Sequence, residues 1–231
     1  LAQDFIPYEK EAGIFFVKKP GEAKGKVTGI VGKSFGMVTG DGQRSIEHLV
    51  KADKRLSLYW DSLAPQLGNR TGDILPERHT EVLMPFGNHA RGAAFFNWHH
   101  LIDDRLHEWA SNLAAEIKGF YFGRLDIRFN DWEEMILENK FSIIELNGAG
   151  SEATHIYDSS QSIFYAWGEI IRHWKLLYEV SLANHQRGVP YMSFWEGRKM
   201  FRDAAEYDAV LDKLHLALLR KFEPVPEKII L

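Results

Sequence analysis

Two short segments carry the residues best placed to do chemistry. Gly123-Arg124-Leu125-Asp126-Ile127-Arg128-Phe129 alternates charged and apolar residues, and Phe141-Ser142-Ile143-Ile144-Glu145-Leu146-Asn147 does so from Ile144 onward. Successive side chains of an extended strand point to opposite faces, so each segment presents one polar and one apolar face. Antiparallel pairing with Asp126 opposite Glu145 also sets Arg124 opposite Asn147. Both polar sets then share one face, with facing Cβ atoms about 5 Å apart. A slip of one residue would send Glu145 and Asn147 to the other side. Two carboxylates and an amide this close repel unless a cation lies between them. An all-oxygen donor set of Asp126, Glu145 and Asn147 suits Mg²⁺ or Mn²⁺. Alternation alone also describes a solvated face whose carboxylates pair with Arg124 and Arg128.

The continuation favours a site. Gly148-Ala149-Gly150-Ser151-Glu152-Ala153-Thr154-His155 follows the amide directly. A turn of small residues, with hydroxyls and free backbone N–H groups, can cradle an anion. Gly150, Ser151 and His155 are therefore candidate substrate contacts. A cation site beside an anion cradle is what an enzyme handling phosphoryl or carboxylate groups needs. Lys26 and Lys33, in the glycine-studded stretch 25–42, read either as a phosphate-facing flap or as a hairpin whose glycines serve positive φ angles. The stretch is not a Walker A motif. Arg91, among small residues at 87–92, is either a phosphate contact or an ordinary salt-bridge partner. Adjacent His99 and His100 diverge and read as structural. No Gly-x-Ser-x-Gly elbow supports a serine hydrolase.

The elements that must position these groups follow from pattern. An extended, apolar region runs through 5–18, Pro20-Gly21 turns it, and 26–31 returns as a strand. Ser45 caps a short helix to Lys51. Residues 61–80, with Pro65, Gly68, Gly72 and Pro76, read as an internal loop. Asp103 or Asp104 caps a helix whose Leu106, Trp109, Ala110, Leu113 and Ile117 recur at spacings of three and four, and Gly119 stops it. The segment 130–140 is polar and acidic. From Gln161 the pattern is helical, with Ile163, Trp167, Ile170, Ile171, Trp174 and Leu177 read as a core-facing stripe. A last helix carries Tyr207, Val210, Leu211, Leu214 and Leu218 before Pro224 and Pro226. Strands followed by helices predict an α+β fold with an antiparallel sheet, a lobe over 1–160 and a helical extension over 161–231 packed on it.

Composition sets the bounds. The 231 residues carry 28 Lys+Arg against 32 Asp+Glu, a formal net charge of −4, which gives no electrostatic case for nucleic acid or a membrane surface as partner. With no Cys, thiolate zinc sites, iron–sulfur clusters, Cys nucleophiles and disulfides are excluded. No apolar run approaches the roughly 18–20 residues of a membrane span. Leu1 to Lys10 is not a signal peptide, and the missing initiator Met reads as a fragment or a processed chain.

At the Gly-Arg-Leu-Asp-Ile-Arg strand, the Glu-Leu-Asn strand and the turn from Asn147 to Thr154, the sequence resembles the ATP-grasp superfamily, and within it the D-alanine–D-alanine ligase-like carboxylate–amine ligases. The resemblance covers about residues 1–160 and is most specific over 123–158. It implies a cytoplasmic ligase using ATP and Mg²⁺ (or Mn²⁺), with small-molecule or peptide carboxylate and amine substrates and a homodimer as one possible assembly. Asp126, Glu145 and Asn147 would be the metal ligands, Arg124 the catalytic stabiliser of developing negative charge, and Ser151 a substrate contact. Glu11 would meet the ribose, with Lys33 and Arg91 near the phosphates. The chain would correspond to the C-terminal lobe, without the N-terminal one. A nucleotide- or anion-binding module without chemistry and a metal-dependent phosphohydrolase remain the alternatives.

Overall fold

The strands at the centre of the main sheet are buried on both faces, and one edge strand is exposed. In the structure, a computed structural model, residues 6–84 and 93–222 are described, with side chains through residue 215. The strands are β1 (Lys10–Val17), β2 (Lys26–Ser34), β3 (Gly36–Thr39), β4 (Thr80–Met84), β5 (Ala94–Asn97), β6 (Phe122–Phe129) and β7 (Phe141–Asn147). Five of them form one sheet in the order β5-β2-β1-β6-β7, and each neighbouring pair is antiparallel. Arg124 faces Asn147 and Asp126 faces Glu145, the register that alternation requires. A bulge after Asp126 then brings Ile127 opposite Ile143.

One side of this sheet is the main core. Ala12, Ile14, Phe16, Leu125, Ile127 and Phe129 pack on Leu106, Trp109 and Ala110 of helix α3 (Asp104–Ala115) and Met135 of helix α4 (Trp132–Glu138). Burying each large side chain there contributes about 1.5–3 kcal/mol. Asp103 starts α3 by accepting the Leu106 N–H at 2.8 Å. The acidic segment 130–140 thus contains α4, capped by Asp131 on the N–H groups of Glu133 (2.9 Å) and Glu134 (3.1 Å) and closed by Asn139 at φ 54°. Glu133 and Glu134 suit the positive end of the helix dipole.

A second core lies beneath the two-stranded β3–β4 sheet, where Ile46, Leu49 and Val50 of helix α1 (Ile46–Ala52) meet Leu56, Leu63 and Met84. The stretch 61–80 is therefore not simply a loop. It holds most of helix α2 (Trp60–Leu67), with Pro65 inside it, because burial of Leu63 outweighs the breaker.

Helix α5 spans Ile163–Gln186 and helix α6 spans Phe194–Phe222. The chain divides into two units, Leu1–Asn184 and His185–Leu231, with the boundary near the end of α5. The expected inward stripe of α5 is rotated: Ala166, His173 and Val180 are buried, whereas Trp167 and Trp174 face outward. Both faces of this helix are apolar, so periodicity does not choose between them. Among the described residues no helix is long and apolar enough to cross a membrane. The fold is α+β, an antiparallel sheet packed with helices.

Candidate functional site

The other side of the sheet is polar at one end and apolar at the other. Across it, register sets Lys33, Glu11 and Arg128 in one row, Val31, Gly13, Asp126 and Glu145 in the next, and Gly29, Phe15, Arg124 and Asn147 in a third. Side chains in register on neighbouring strands share a face, so these rows form a continuous floor.

Buried charge dominates the floor. Lys33 Nζ lies 2.8 Å from Glu11 Oε1 and 3.3 Å from Asp126 Oδ2. Arg124 grips Asp126 with both Nε, at 2.8 Å from Oδ1, and Nη2, at 3.2 Å from Oδ2. Arg128 Nε donates to Glu11 Oε2 at 3.4 Å, and its guanidinium lies over the Phe35 ring at 5.1 Å. Three cations thus meet two buried carboxylates, with the exposed Glu145 carboxylate beside them in the same row. Gly13 makes the crowding possible, since a Cβ there would sit 2.8 Å from Asp126 Oδ1 and 2.9 Å from Arg124 Cδ.

Past Asn147 the chain crosses this face as a strap. Arg124 Nη1 donates to the Glu152 carbonyl at 3.0 Å, and His155 lies over Gly29, where a Cβ would come within 2.4 Å of its ring. Asp158 Oδ2 then accepts the Asn97 N–H at 2.7 Å on the far edge strand. Residues 148–158 therefore run from β7 over β6 and β2 to β5. Behind the strap, Phe15, Val17, Phe122, Ala153 and Val180 form a small apolar core.

A polar network anchors the strap to α5. His155 Nε2 donates to Glu169 Oε2 at 2.9 Å, Arg172 pairs with the same carboxylate, and Arg172 Nη2 donates to the Thr28 carbonyl at 2.6 Å. Burial pushes the His155 imidazole below its ordinary value, against the opposing pull of Glu169. Burial would raise Glu169, but hydrogen bonds from Arg172 and His155 hold it below the usual carboxylate range. His173 donates from Nδ1 to the Glu169 carbonyl at 2.8 Å, and its Nε2 meets the Thr28 hydroxyl at 3.0 Å. Burial lowers its pKa to about 4.

The expected site residues divide accordingly. Arg124, Asp126, Glu145 and Asn147 come together on one face, with Glu145 exposed and Asn147 Nδ2 3.5 Å from Asp126 Oδ2. Lys33 and Glu11 join them, spent on each other, Asp126 and Arg128. Ser151 stands at the turn, its Oγ buried and without a hydrogen-bond partner among the described residues, and Thr154 Oγ1 shares that condition. Gly150 is exposed, and neither Gly148 nor Gly150 has a positive φ or a neighbour within 4 Å of a Cβ, so the fold does not demand glycine at either position. His155 is 1% exposed and holds the strap from beneath. Arg91 lies outside the described residues. Sequence reasoning placed Arg128 on this face as a pairing partner of its carboxylates but missed Glu169 and Arg172, although Gly29 inside an apolar strand marks a close approach.

Among the described residues no group of three or more His, Asp or Glu side chains is placed to hold a metal ion. The donor chemistry nonetheless fits a hard divalent cation: Glu145 and Asn147 offer oxygens, and Asp126, now engaged by Arg124 and Lys33, would join them only by giving up Lys33. The two orphaned hydroxyls fit an anionic group. A groove of about 490 Å³ lies on the core side of the sheet, lined by Trp109, Leu113, Ile136 and Phe141 among others and by none of the expected site residues.

No family model matches the chain, and no curated protein matches it. Among solved structures it is similar to a bifunctional glutathione synthetase from Pasteurella multocida, at 16% identity and a TM-score of 0.47, over 76% of this chain and 25% of that one. The chain thus spans about a quarter of that enzyme's length.

Proposed function

We propose that the chain belongs to an ATP- and Mg²⁺-dependent ligase of the ATP-grasp type, D-alanine–D-alanine ligase-like in its motifs, which joins a carboxylate to an amine. The supporting observation is the juxtaposition of a floor of buried, paired charges with a strap that leaves two buried hydroxyls unpartnered among the described residues. ATP would convert the carboxylate to an acyl phosphate, which the amine captures with loss of phosphate, while Mg²⁺ held by Glu145, Asn147 and Asp126 would neutralise phosphate charge.

The chain's own residues bind and orient. Arg124, fixed by Asp126 on one side and the Glu152 carbonyl on the other, presents a rotationally locked guanidinium to charge developing above the floor. Ser151 and Thr154 are left to donate to the carboxylate substrate, and Gly148 and Gly150 let a ligand approach the backbone. His155 and Glu169 keep the strap at its height above Gly29.

The test is ADP release by the complete protein, requiring both a carboxylate and an amine. Glu145→Gln should lower that turnover at least ~10²-fold, and undiminished turnover in this variant refutes the assignment. The saturation of Asp126 by Arg124 and Lys33 favours a second reading, a nucleotide-binding module without turnover. ATP binding with no ADP release under any acceptor would select it.

A further inference from the structure

We infer that the outer face of α5 is the two-fold interface of a homodimer, in which α5 packs antiparallel on the same helix of a second copy with Ile171 at the axis. The inference is independent of the nucleotide chemistry. Phe164, Trp167, Ile171, Trp174 and Tyr178 are 75%, 53%, 66%, 70% and 64% exposed. Their spacings of three and four place them in one straight seam along the helix. The rotation of that seam is pinned, because Glu169, Arg172 and His173 are tied to the strap and to β2 on the opposite face.

The area approaches that of an interface. Taking ~150–250 Å² for each aromatic side chain at these exposures, the aromatics of the seam alone expose on the order of 400–650 Å² of apolar surface, to which Ile171 adds. The largest apolar patch of a typical monomer is ~300–600 Å². A standard interface takes ~800 Å² from each partner.

The seam also complements itself. Its residues are arranged nearly symmetrically about Ile171, with aromatics about one and two turns away on both sides. In an antiparallel pair centred there, Phe164 faces the partner's Tyr178 and Trp167 faces the partner's Lys175, an aromatic ring against an exposed ammonium. Trp174 faces the partner's Gly168. A glycine weakens a helix interior, and a Cβ at Gly168 would meet nothing within 4 Å in its own chain. An indole from a second copy gives that vacant position a use.

Sedimentation velocity of the 231-residue chain from about 1 to 100 μM, which spans usual dimer affinities, should show a species of twice 26.6 kDa. Gly168→Glu should weaken association by about 100-fold or more while leaving the circular dichroism spectrum unchanged. Because the chain has no Cys, Ile171→Cys places a single thiol at the axis. Mild oxidation should link this variant to itself, whereas Lys54→Cys, exposed and off the seam, should stay unlinked. A monomer at every concentration overturns the inference and gives the seam to another protein or segment. So does a dimer that Gly168→Glu leaves intact, or equal cross-linking of the two cysteine variants.

Discussion

Asp126→Asn separates what the polar floor does for the fold from what it does for a ligand. The side chain is 3% exposed, and its carboxylate neutralises Arg124 at 2.8 Å and Lys33 at 3.3 Å. Removing one partner of a buried ion pair costs about 3–5 kcal/mol, because the other charge is left uncompensated. Two features reduce that figure here. Lys33 keeps Glu11 at 2.8 Å, and the Asn carbonyl still accepts from one of the Arg124 donors. The expected loss is therefore about 2–3 kcal/mol, which for a chain of this length lowers Tm by roughly 4–12 °C. Thermal unfolding followed by circular dichroism at pH 7 measures it. Glu145→Gln is the matched control: it removes a carboxylate from the same row, but an exposed one, so its stability should stay within about 0.5 kcal/mol of the parent. An Asp126→Asn protein that melts with the parent would refute the ion-paired floor. An equal loss in Glu145→Gln would show that the row acts as one structural unit.

Two further perturbations probe the strap. Folded His173 resists protonation until about pH 4, whereas the unfolded chain protonates it near 6.5. The unfolded state therefore binds more protons across that window, so stability is constant above it and falls as pH drops from about 6.5 to about 4. His155, also lowered by burial, adds to the same slope, and denaturant midpoints against pH should flatten in His173→Gln. Gly29→Ala drives a Cβ to 2.4 Å from the His155 ring, which Glu169 holds in place, so it should cost about 1–3 kcal/mol in chemical denaturation. An unchanged midpoint would mean that the strap moves away without cost.

Much of the sheet is legible in the sequence because its signals are local, apolar runs in β1 and β2 and alternation in β6 and β7. The pairing of Asp126 with Glu145 follows from polar and apolar alternation, since a slip of one residue would move Glu145 and Asn147 to the face opposite Asp126. The helices were less readable where their stabilising contacts come from elsewhere. Helix α4 reads only as a polar, acidic segment until Asp131 is recognised as its cap and Met135 as its buried contact. Helix α2 carries Pro65 and ends on Gly68, both breakers, and forms because Leu63 fills the second core. In α5 both faces are apolar, and the choice fell to Glu169, Arg172 and His173, whose partners on β2 and the strap are remote in sequence.

The candidate site was legible as a set of residues but not as a set of pairings. Alternation places Asp126 on the polar face, yet its neighbours there come from three strands, and the shortest route from Lys33 to Asp126 runs across β1. Gly13 on that strand leaves the space in which Arg124 and Asp126 meet. A spacing argument within β6 and β7 sees two carboxylates and asks for a cation. The folded sheet answers first with Lys33 and Arg124, cations it already owns. Any divalent ion therefore has to compete with an internal ammonium for Asp126, while Glu145, exposed at the edge, needs no such exchange. Metal affinity should accordingly depend more on Lys33 than the β6–β7 motif suggests. The two vacant hydroxyls of the strap follow the same logic in reverse: Ser151 and Thr154 are buried on residues 148–158, and among the described residues nothing accepts from or donates to them.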